Sequence, residues 1–307
     1  MTPTDLAALI RAAATDVLNG RGLGADALPV EIDAEVDIIR PRNPAHGDYA
    51  TSIALRAATR VGVPPRELAG WLADDLGARA PIATAEVAGP GFVNLRLVSA
   101  ARGALVGEVL AEGGSYGADP TAVQALTDQL TDQLTALDLT AAFADLVDAV
   151  GMDAARYALS RSSADTAPAF DVARLAGPTS GNPAYHVRFT HARLSALARH
   201  AADLGVSAGT RYELLEHPGE GELIRALGGY PDAVRAAAQR RQLHRVPRHL
   251  ETVATACERV EAHCRVLPMG DEPITELYRA RLALCLAARQ VLANGLGLLG
   301  VSAPERM

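Results

Sequence analysis

The stretch IATAEVAGPGFVNLRLV, residues 82 to 98, decides the fold of the first part of the chain. Its two halves, 82 to 88 and 92 to 98, have the length and composition of β-strands, and a Gly-Pro-Gly sequence separates them. Glycine and proline in so short a connection indicate a tight turn. The stretch therefore predicts two adjacent antiparallel strands.

Upstream of this hairpin the hydrophobic period changes. Residues 4 to 18 carry apolar residues at helical spacing, whereas residues 30 to 38 alternate between apolar and acidic residues, which indicates a strand with one solvated face. Two helices are predicted to follow, at 48 to 61 and 64 to 78. Asp48 is the candidate N-cap of the first of them.

Downstream of the hairpin the period stays helical. Residues 99 to 113 are predicted to form a helix, and leucines spaced four, four and three apart within residues 118 to 138 indicate a linker helix. Beyond it, Gly/Pro clusters divide the helical pattern into segments, as in a helical bundle. The predicted fold class is α+β: a small α+β domain with an antiparallel sheet at 1–100, a helical linker at 101–140 and an all-α bundle at 141–307.

The charge is distributed unevenly along the chain. Residues 1 to 150 hold 10 Arg against 20 acidic residues, a net charge of −10, whereas residues 151 to 307 hold 19 Arg against 16 acidic residues, a net charge of +3. Because phosphates bind basic surfaces, a nucleic-acid partner fits the second half better. None of the 29 basic residues is a lysine, which excludes mechanisms that need an amine side chain.

The cysteine spacing and the length of the apolar runs argue against a metal site and against a membrane-spanning segment. Cys257, Cys264 and Cys285 lack CxxC spacing, so we expect buried free thiols, no metal and no cofactor. No run approaches the roughly 20 apolar residues that span a bilayer, and the first ten residues do not resemble a signal peptide. The sequence predicts a cytoplasmic protein with no membrane partner.

Several motifs resemble those of the arginyl-tRNA synthetase family. The motifs that resemble its N-terminal domain are PRNPAHGDYATSIAL (41–55), GVPPRELA (62–69) and EVAGPGFVNLRL (86–97). Those that resemble its DALR-type anticodon-binding domain are VGMDAARYALSRSSADTAPAFDV (150–172), GNPAYHVRFTHARLSAL (181–197), CRVLP (264–268) and the last 27 residues, 281–307. Both sets follow the order found in the family.

The same resemblance implies that the family's catalytic domain is missing. In the full synthetase a class I domain of roughly 200 to 300 residues lies between these two domains, whereas here only about residues 118 to 138 lack a counterpart. The HIGH and KMSKS elements, which stabilise the ATP phosphates, have no match, since His46 is the only histidine before His186. We therefore expect a non-catalytic paralog, not an enzyme, that binds tRNA, with tRNA-Arg as the first candidate.

On the N-terminal side, the resemblance implies that Phe92 and Asn94 recognise the tRNA D-loop. An aromatic ring can stack on an unpaired base, and a carboxamide can pair with the edge of that base. On pattern alone, the better interpretation is structural, with Phe92 as a core residue of the strand and Asn94 as a strand-edge residue. The HGDYA motif, residues 46 to 50, is interpreted as mainly structural.

On the anticodon side, the resemblance implies contacts from a helix that begins near Asn182. His186 and Phe189 replace tyrosines of the family, and Arg188 replaces a glutamine, so we expect binding to persist with looser anticodon selectivity. Positions 182, 186, 189 and 193 share one helical face, and its polar groups would need buried partners if it were core instead. The predicted contacts are Asn182, His186, Arg188, Phe189, Arg193 and Met307.

A basic cluster at 235 to 248 is the third candidate surface. No acidic residue lies between Asp232 and Glu251, which favours phosphate contacts, although such clusters are usually only solvated faces. The predicted phosphate contacts are Arg235, Arg240, Arg241, Arg245 and Arg248.

One alternative function stays open. The acidic first half and the replaced tyrosines also fit a protein-interaction or regulatory module, whose partner belongs to a tRNA-dependent pathway and whose RNA-binding face has been reassigned. An enzyme of unrelated chemistry has no support, because the sequence contains no recognisable triad, metal cluster or phosphate-binding loop.

Overall fold

The computed structural model describes residues 1–24, 28, 38–39, 41, 46–135, 139–163 and 170–307, with the backbone alone at 139–142. The chain divides into two compact units, 1–104 and 105–307. Every strand of the described residues lies in the first unit, and the second unit is helical. The predicted α+β class is therefore confirmed.

The first unit is a four-stranded antiparallel sheet with helices packed on it. Its elements are α1 (Pro3–Asn19), β1 (Ile38–Ile39), β2 (Tyr49–Thr51), α2 (Ile53–Val61), α3 (Pro65–Gly77), β3 (Ile82–Ala88) and β4 (Phe92–Leu97). The strand order is β1-β2-β4-β3. The predicted hairpin is confirmed, since β3 pairs with β4 across the Gly-Pro-Gly turn. Residues 30 to 37 of the strand predicted at 30 to 38 lie outside the described residues, and Ile38 belongs to β1.

Alternation along β4 gives the sheet a core face and an outer face. Val93, Leu95 and Leu97 are buried in the same apolar cluster as residues of α1, α2 and α3. Successive residues of a strand point to opposite faces, so Phe92 and Asn94 lie on the other face. We call this second face, with β4 at its centre, the outer sheet face.

The helix predicted to begin at Asp48 was placed too early. Residues 49 to 51 form β2, and α2 begins only at Ile53. The buried Asp48 carboxylate accepts a hydrogen bond from the Leu97 amide at 2.9 Å, and the Asp48 amide donates to the Leu95 carbonyl at 2.8 Å. A Cβ at the preceding Gly47, whose φ is 105°, would lie 2.5 Å from that carbonyl oxygen. Asp48 therefore joins its own segment to β4 and does not cap a helix, which supports the structural interpretation of the HGDYA motif.

We expect Asp48→Ala to lower the free energy of unfolding of the first unit by about 1 to 3 kcal/mol, because the buried Leu97 amide loses its acceptor. Trp71, the one tryptophan of the sequence, lies in α3, so its fluorescence during urea unfolding is the measurement. Asp74→Ala removes an exposed carboxylate from α3 and is the control, with an expected change below about 0.5 kcal/mol. Equal unfolding midpoints for the two variants would disprove this role of Asp48.

The second unit is a bundle of helices, and α4 contains the boundary between the units. The elements are α4 (Ser99–Glu112), α5 (Pro120–Thr135), α6 (Leu139–Val150), α7 (Met152–Arg161), α8 (Val172–Ala176), α9 (Pro183–Asp203), α10 (Pro218–Gly228), α11 (Tyr230–Gln239), α12 (Arg245–His263) and α13 (Glu276–Leu298). Much of the stretch interpreted as a linker is part of the bundle core: Leu105, Val109, Tyr116 and Leu126 are buried in the same apolar cluster as α9 to α13.

The three cysteines are buried free thiols, as predicted. Burial raises the pKa of Cys285 to about 12, so its thiol stays protonated near neutral pH. Within the described ranges, no group of three or more His, Cys, Asp and Glu side chains is placed to hold a metal ion. None of the helices in those ranges is both long and apolar enough to span a bilayer.

Candidate nucleic-acid interface

The outer sheet face holds Phe92 and Asn94 on a central strand. Phe92 pairs with Ala88 of β3, and Asn94 lies between Ala50 of β2 and Glu86 of β3. Both side chains are partly exposed, on the face opposite the core. Phe92 is therefore not a core residue, and Asn94 is not on a strand edge, so neither structural alternative describes these positions. Two residues apart on one strand, they lie on the same side of the sheet.

The Gly-Pro-Gly turn fixes the place where Phe92 enters the sheet. A Cβ on Gly91 would lie 2.9 Å from the Pro65 Cβ and 3.1 Å from Leu55, so only glycine fits between the turn and the helices. Arg66, at the start of α3, donates a hydrogen bond to the Gly89 carbonyl at 2.7 Å. Packing and this hydrogen bond together hold the turn against α2 and α3.

Asn182 has a capping role in the structure. It is the N-cap of α9, and its Oδ1 accepts hydrogen bonds from the Ala184 and Tyr185 amides. Its Nδ2 donates to the carbonyls of Leu175 and Gly177, and the residue is 4% exposed. Because this buried side chain already uses its amide oxygen and nitrogen in these hydrogen bonds, Asn182 is not among the RNA contacts that we propose.

Three residues of α9 form what we call the aromatic stripe: Tyr185, Phe189 and Arg193. The rings of Tyr185 and Phe189 are stacked, with centroids 5.3 Å apart and planes 12° apart. The Arg193 guanidinium lies 5.7 Å from the centroid of the Phe189 ring. At four-residue spacing the three side chains follow one side of the helix, and each is partly or fully exposed. Tyr185, which is not among the contacts predicted from the sequence, is therefore part of this surface.

Carboxylates of α12 border the aromatic stripe. The His186 Nε2 lies 3.1 Å from Glu258 without the alignment of a hydrogen bond, and Arg193 forms an ion pair with Glu261. Burial raises the pKa of Glu261, and the opposing effect of Arg193 is smaller. The polar groups on this face of α9 thus have partly buried acidic neighbours. Glu258 and Glu261 are three residues apart on α12, so the sequence indicates that they share one face of that helix. Nothing in the sequence indicates that this face packs against α9.

Arg188 and the C-terminal segment are bound to each other. Arg188 forms an ion pair with Asp153 at 2.8 Å and donates a hydrogen bond to the Ser302 hydroxyl at 2.9 Å. The His191 Nδ1 lies 2.8 Å from the Pro304 carbonyl, so it carries the donated proton, and burial lowers the pKa of this histidine. These contacts give Arg188 a structural role where RNA contact was expected. Met307, at the end of the segment, is 55% exposed.

The basic cluster has acidic partners that the sequence did not predict. Arg235 pairs with Asp232 at 2.7 Å, and Arg241 pairs with Asp132 of α5 at 3.1 Å. The sequence between Asp232 and Glu251 holds no acidic residue, but the fold brings Asp132 to this cluster from 109 positions before Arg241 in the chain. The Arg245 Nε donates to the Gln242 side chain at 2.7 Å. The members of the cluster that are exposed are Arg240, Arg241 and Arg248.

Two family models match this chain. The arginyl tRNA synthetase N terminal domain matches residues 4–97, which include Phe92 and Asn94, and the DALR anticodon binding domain matches residues 187–307, which include Phe189 and Arg193. The chain belongs to the arginyl-tRNA synthetase family. Its 307 residues contain the N-terminal and anticodon-binding domains of that family and no catalytic domain.

Solved arginyl-tRNA synthetases resemble parts of this family member. A protein described as the synthetase of Campylobacter jejuni is 22% identical, with a TM-score of 0.46 over 53% of this chain and 35% of that chain. The synthetase of Thermus thermophilus is 23% identical, with a TM-score of 0.41 over 62% and 32%. That of Plasmodium falciparum is 17% identical, with a TM-score of 0.45 over 61% and 32%. The match thus spans about a third of the length of each synthetase.

Proposed function

We propose that this synthetase-family protein binds tRNA, with tRNA-Arg as the first candidate, and does not aminoacylate it. The observation that carries the proposal is the pair of partly exposed residues Phe92 and Asn94 on the outer sheet face. An unpaired base of the D-loop can stack on the Phe92 ring while its edge pairs with the Asn94 carboxamide. The rigid Gly-Pro-Gly turn supports this role, because it positions the ring before RNA arrives.

The aromatic stripe is the proposed contact on the anticodon side. A base of a single-stranded loop can stack on the Tyr185–Phe189 pair, and the Arg193 guanidinium adds positive charge beside the Phe189 ring. His186 borders the stripe and stays in the proposed contact set, as does the exposed Met307. For the phosphate backbone, the exposed Arg240, Arg241 and Arg248 are the proposed contacts, with Arg235 and Arg245 beside them.

The chain's own residues support a non-catalytic role. Residues 98–186, between the two matched domains, include α4 and α5, which contribute side chains to the core of the bundle. In the family, the KMSKS loop brings ammonium groups to the pyrophosphate as the adenylate forms, which stabilises developing charge. This chain has no lysine to do so.

A protein-interaction role is the second candidate function. Glu258 and Glu261 beside the aromatic stripe favour it, because carboxylates repel RNA phosphates. In this role the stripe would contact a protein of a tRNA-dependent pathway, and the tRNA experiment below separates the two functions.

The test is direct binding of the purified chain to tRNA-Arg and to a non-cognate tRNA over a series of salt concentrations. We expect tighter binding of tRNA-Arg and weaker binding of both tRNAs as salt rises. The variant that combines Phe92→Ala with Asn94→Ala is expected to lose the preference and keep the salt dependence, because these residues contact bases and not phosphates. Thr84→Ala, on the outer sheet face opposite Arg96, is the control and should change neither. If the wild type does not bind at low salt, the tRNA proposal is wrong and the protein-interaction role takes its place.

A further inference from the structure

The helix α5 lies along α11 and reaches the basic cluster. At the start of α11, a Cβ on Gly117 would lie 2.7 Å from the Tyr230 ring. Further along, Gln129 donates a hydrogen bond to the Ala238 carbonyl at 3.4 Å, and Asp132 pairs with Arg241 just beyond the end of α11. The two helices therefore run side by side in the same direction, and the last turns of α5 lie against the basic cluster.

The two halves of α5 are held unequally. Ala122 and Leu126, in the first half, are buried in the apolar core of the bundle. In the second half, Gln129 is 6% exposed, and the buried Oε1 atoms of Gln129 and Gln133 have no hydrogen-bond partner among the described residues. A buried acceptor without a partner weakens the contact that buries it. The second half, in which Leu130 is a partly buried apolar contact, is thus held less firmly than the first.

Arg241 is held in a backbone conformation that arginine rarely adopts. Its φ is 51°, and it follows α11 at the position where helices commonly have a left-handed glycine. The Gln242 amide donates to the Ala237 carbonyl at 2.9 Å, and the Arg241 amide donates to the Ala238 carbonyl at 3.3 Å. Glycine would adopt this conformation without strain. Arginine at this position therefore lowers the stability of the fold relative to glycine.

We propose that α5 acts as an intramolecular mask on the basic cluster. Asp132 stays paired with Arg241 until an RNA phosphate displaces the Asp132 carboxylate, and the second half of α5 then separates from α11. This regulation rests on the proposed function, since the competing ligand is the RNA backbone. The ion pair is exposed on both sides, with 73% of the Arg241 side chain and 65% of the Asp132 side chain accessible. Such a pair is weak, and a phosphate backbone can replace it.

The experiment compares tRNA affinities of full-length variants at one low salt concentration. Asp132→Asn is expected to bind tRNA-Arg about threefold to fivefold tighter than the wild type, because Arg241 is released. Asp128→Asn is the matched control: it removes the same charge one turn earlier, where Asp128 contacts Gln124, and is expected to change the affinity less than about twofold. In an Arg241→Ala background, Asp132→Asn should have no further effect.

A second variant tests the mask from the opposite side. Gln129→Leu removes the unpartnered oxygen and packs α5 more firmly on α11, while the Ala238 carbonyl keeps the Arg241 amide as its donor. We expect binding about threefold weaker than the wild type, with unchanged circular dichroism. In wild-type protein, tRNA should accelerate hydrogen exchange of the amides of residues 129 to 135.

The outcomes separate the mask from the proposed function. If all variants bind tRNA with the affinity of the wild type, or if Asp128→Asn tightens binding as much as Asp132→Asn, tRNA binding stands and the mask is wrong. If neither the wild type nor any variant binds tRNA, the proposed function is wrong and the mask with it.

Discussion

Glu220→Ala is expected to lower the free energy of unfolding of the second unit by about 3 to 5 kcal/mol. Glu220 is fully buried in α10, and its carboxylate pairs with the Arg281 guanidinium of α13 at 2.6 Å. The same carboxylate accepts a hydrogen bond from the His217 amide at the start of α10. Removal of the carboxylate leaves Arg281, whose side chain is only 16% exposed, without its charged partner. A buried charge without a partner is among the most destabilising changes that one substitution can make.

The neighbouring pair Glu222–Arg259 is the matched control for this prediction. It joins the same two residue types two positions further along α10, but the Arg259 side chain is 58% exposed and the Glu222 side chain 30% exposed. Glu222→Ala is expected to cost no more than about 1 kcal/mol. Urea unfolding followed by far-UV circular dichroism measures both variants. Equal losses would mean that burial does not decide the strength of these pairs.

The β-hairpin was predictable because its information is local. Strand-like composition on both sides of a Gly-Pro-Gly turn fixes β3 and β4 from neighbouring residues alone, and the structure confirms both strands. Asp48 was misassigned because its role is not local. Its hydrogen-bond acceptor and donor lie on β4, 47 and 49 residues away, and an acidic residue before an apolar run has the same local pattern as a helix N-cap.

The candidate site likewise combines local features, which the sequence predicts, with contacts between helices, which it does not. Helical spacing on α9 and the family resemblance were enough to select Phe189 and Arg193, which belong to the aromatic stripe. Partners from other helices could not be predicted, because no local pattern specifies which helices meet. The acid on Arg241 comes from α5, and those beside the stripe come from α12. The prediction for Asn182 was wrong for a related reason, because the sequence alone does not distinguish an asparagine that caps a helix from one that binds a ligand.

The outer sheet face, with Phe92, and the aromatic stripe, with Phe189, together offer a sharper test of tRNA binding than either surface alone. Phe92 and Phe189 are partly exposed and belong to different units, so we expect substitutions at the two sites to act independently. Leucine at either position keeps apolar volume and removes the flat ring, whereas tyrosine keeps the ring. Comparison of the two replacements therefore separates stacking from general hydrophobic contact.

We expect Phe92→Leu and Phe189→Leu each to weaken tRNA-Arg binding by about 1 to 3 kcal/mol, and the double variant by the sum, about 2 to 6 kcal/mol. The corresponding tyrosine variants should bind within about threefold of the wild type, because a phenol ring stacks as phenylalanine does. Dissociation constants from fluorescence titration, at a salt concentration where the wild type still binds measurably, give all of these values. A double variant that binds as well as the weaker single variant would show that only one surface contacts the tRNA. Leucine variants with wild-type affinity would remove base stacking from the account of binding and leave phosphate contacts as its source.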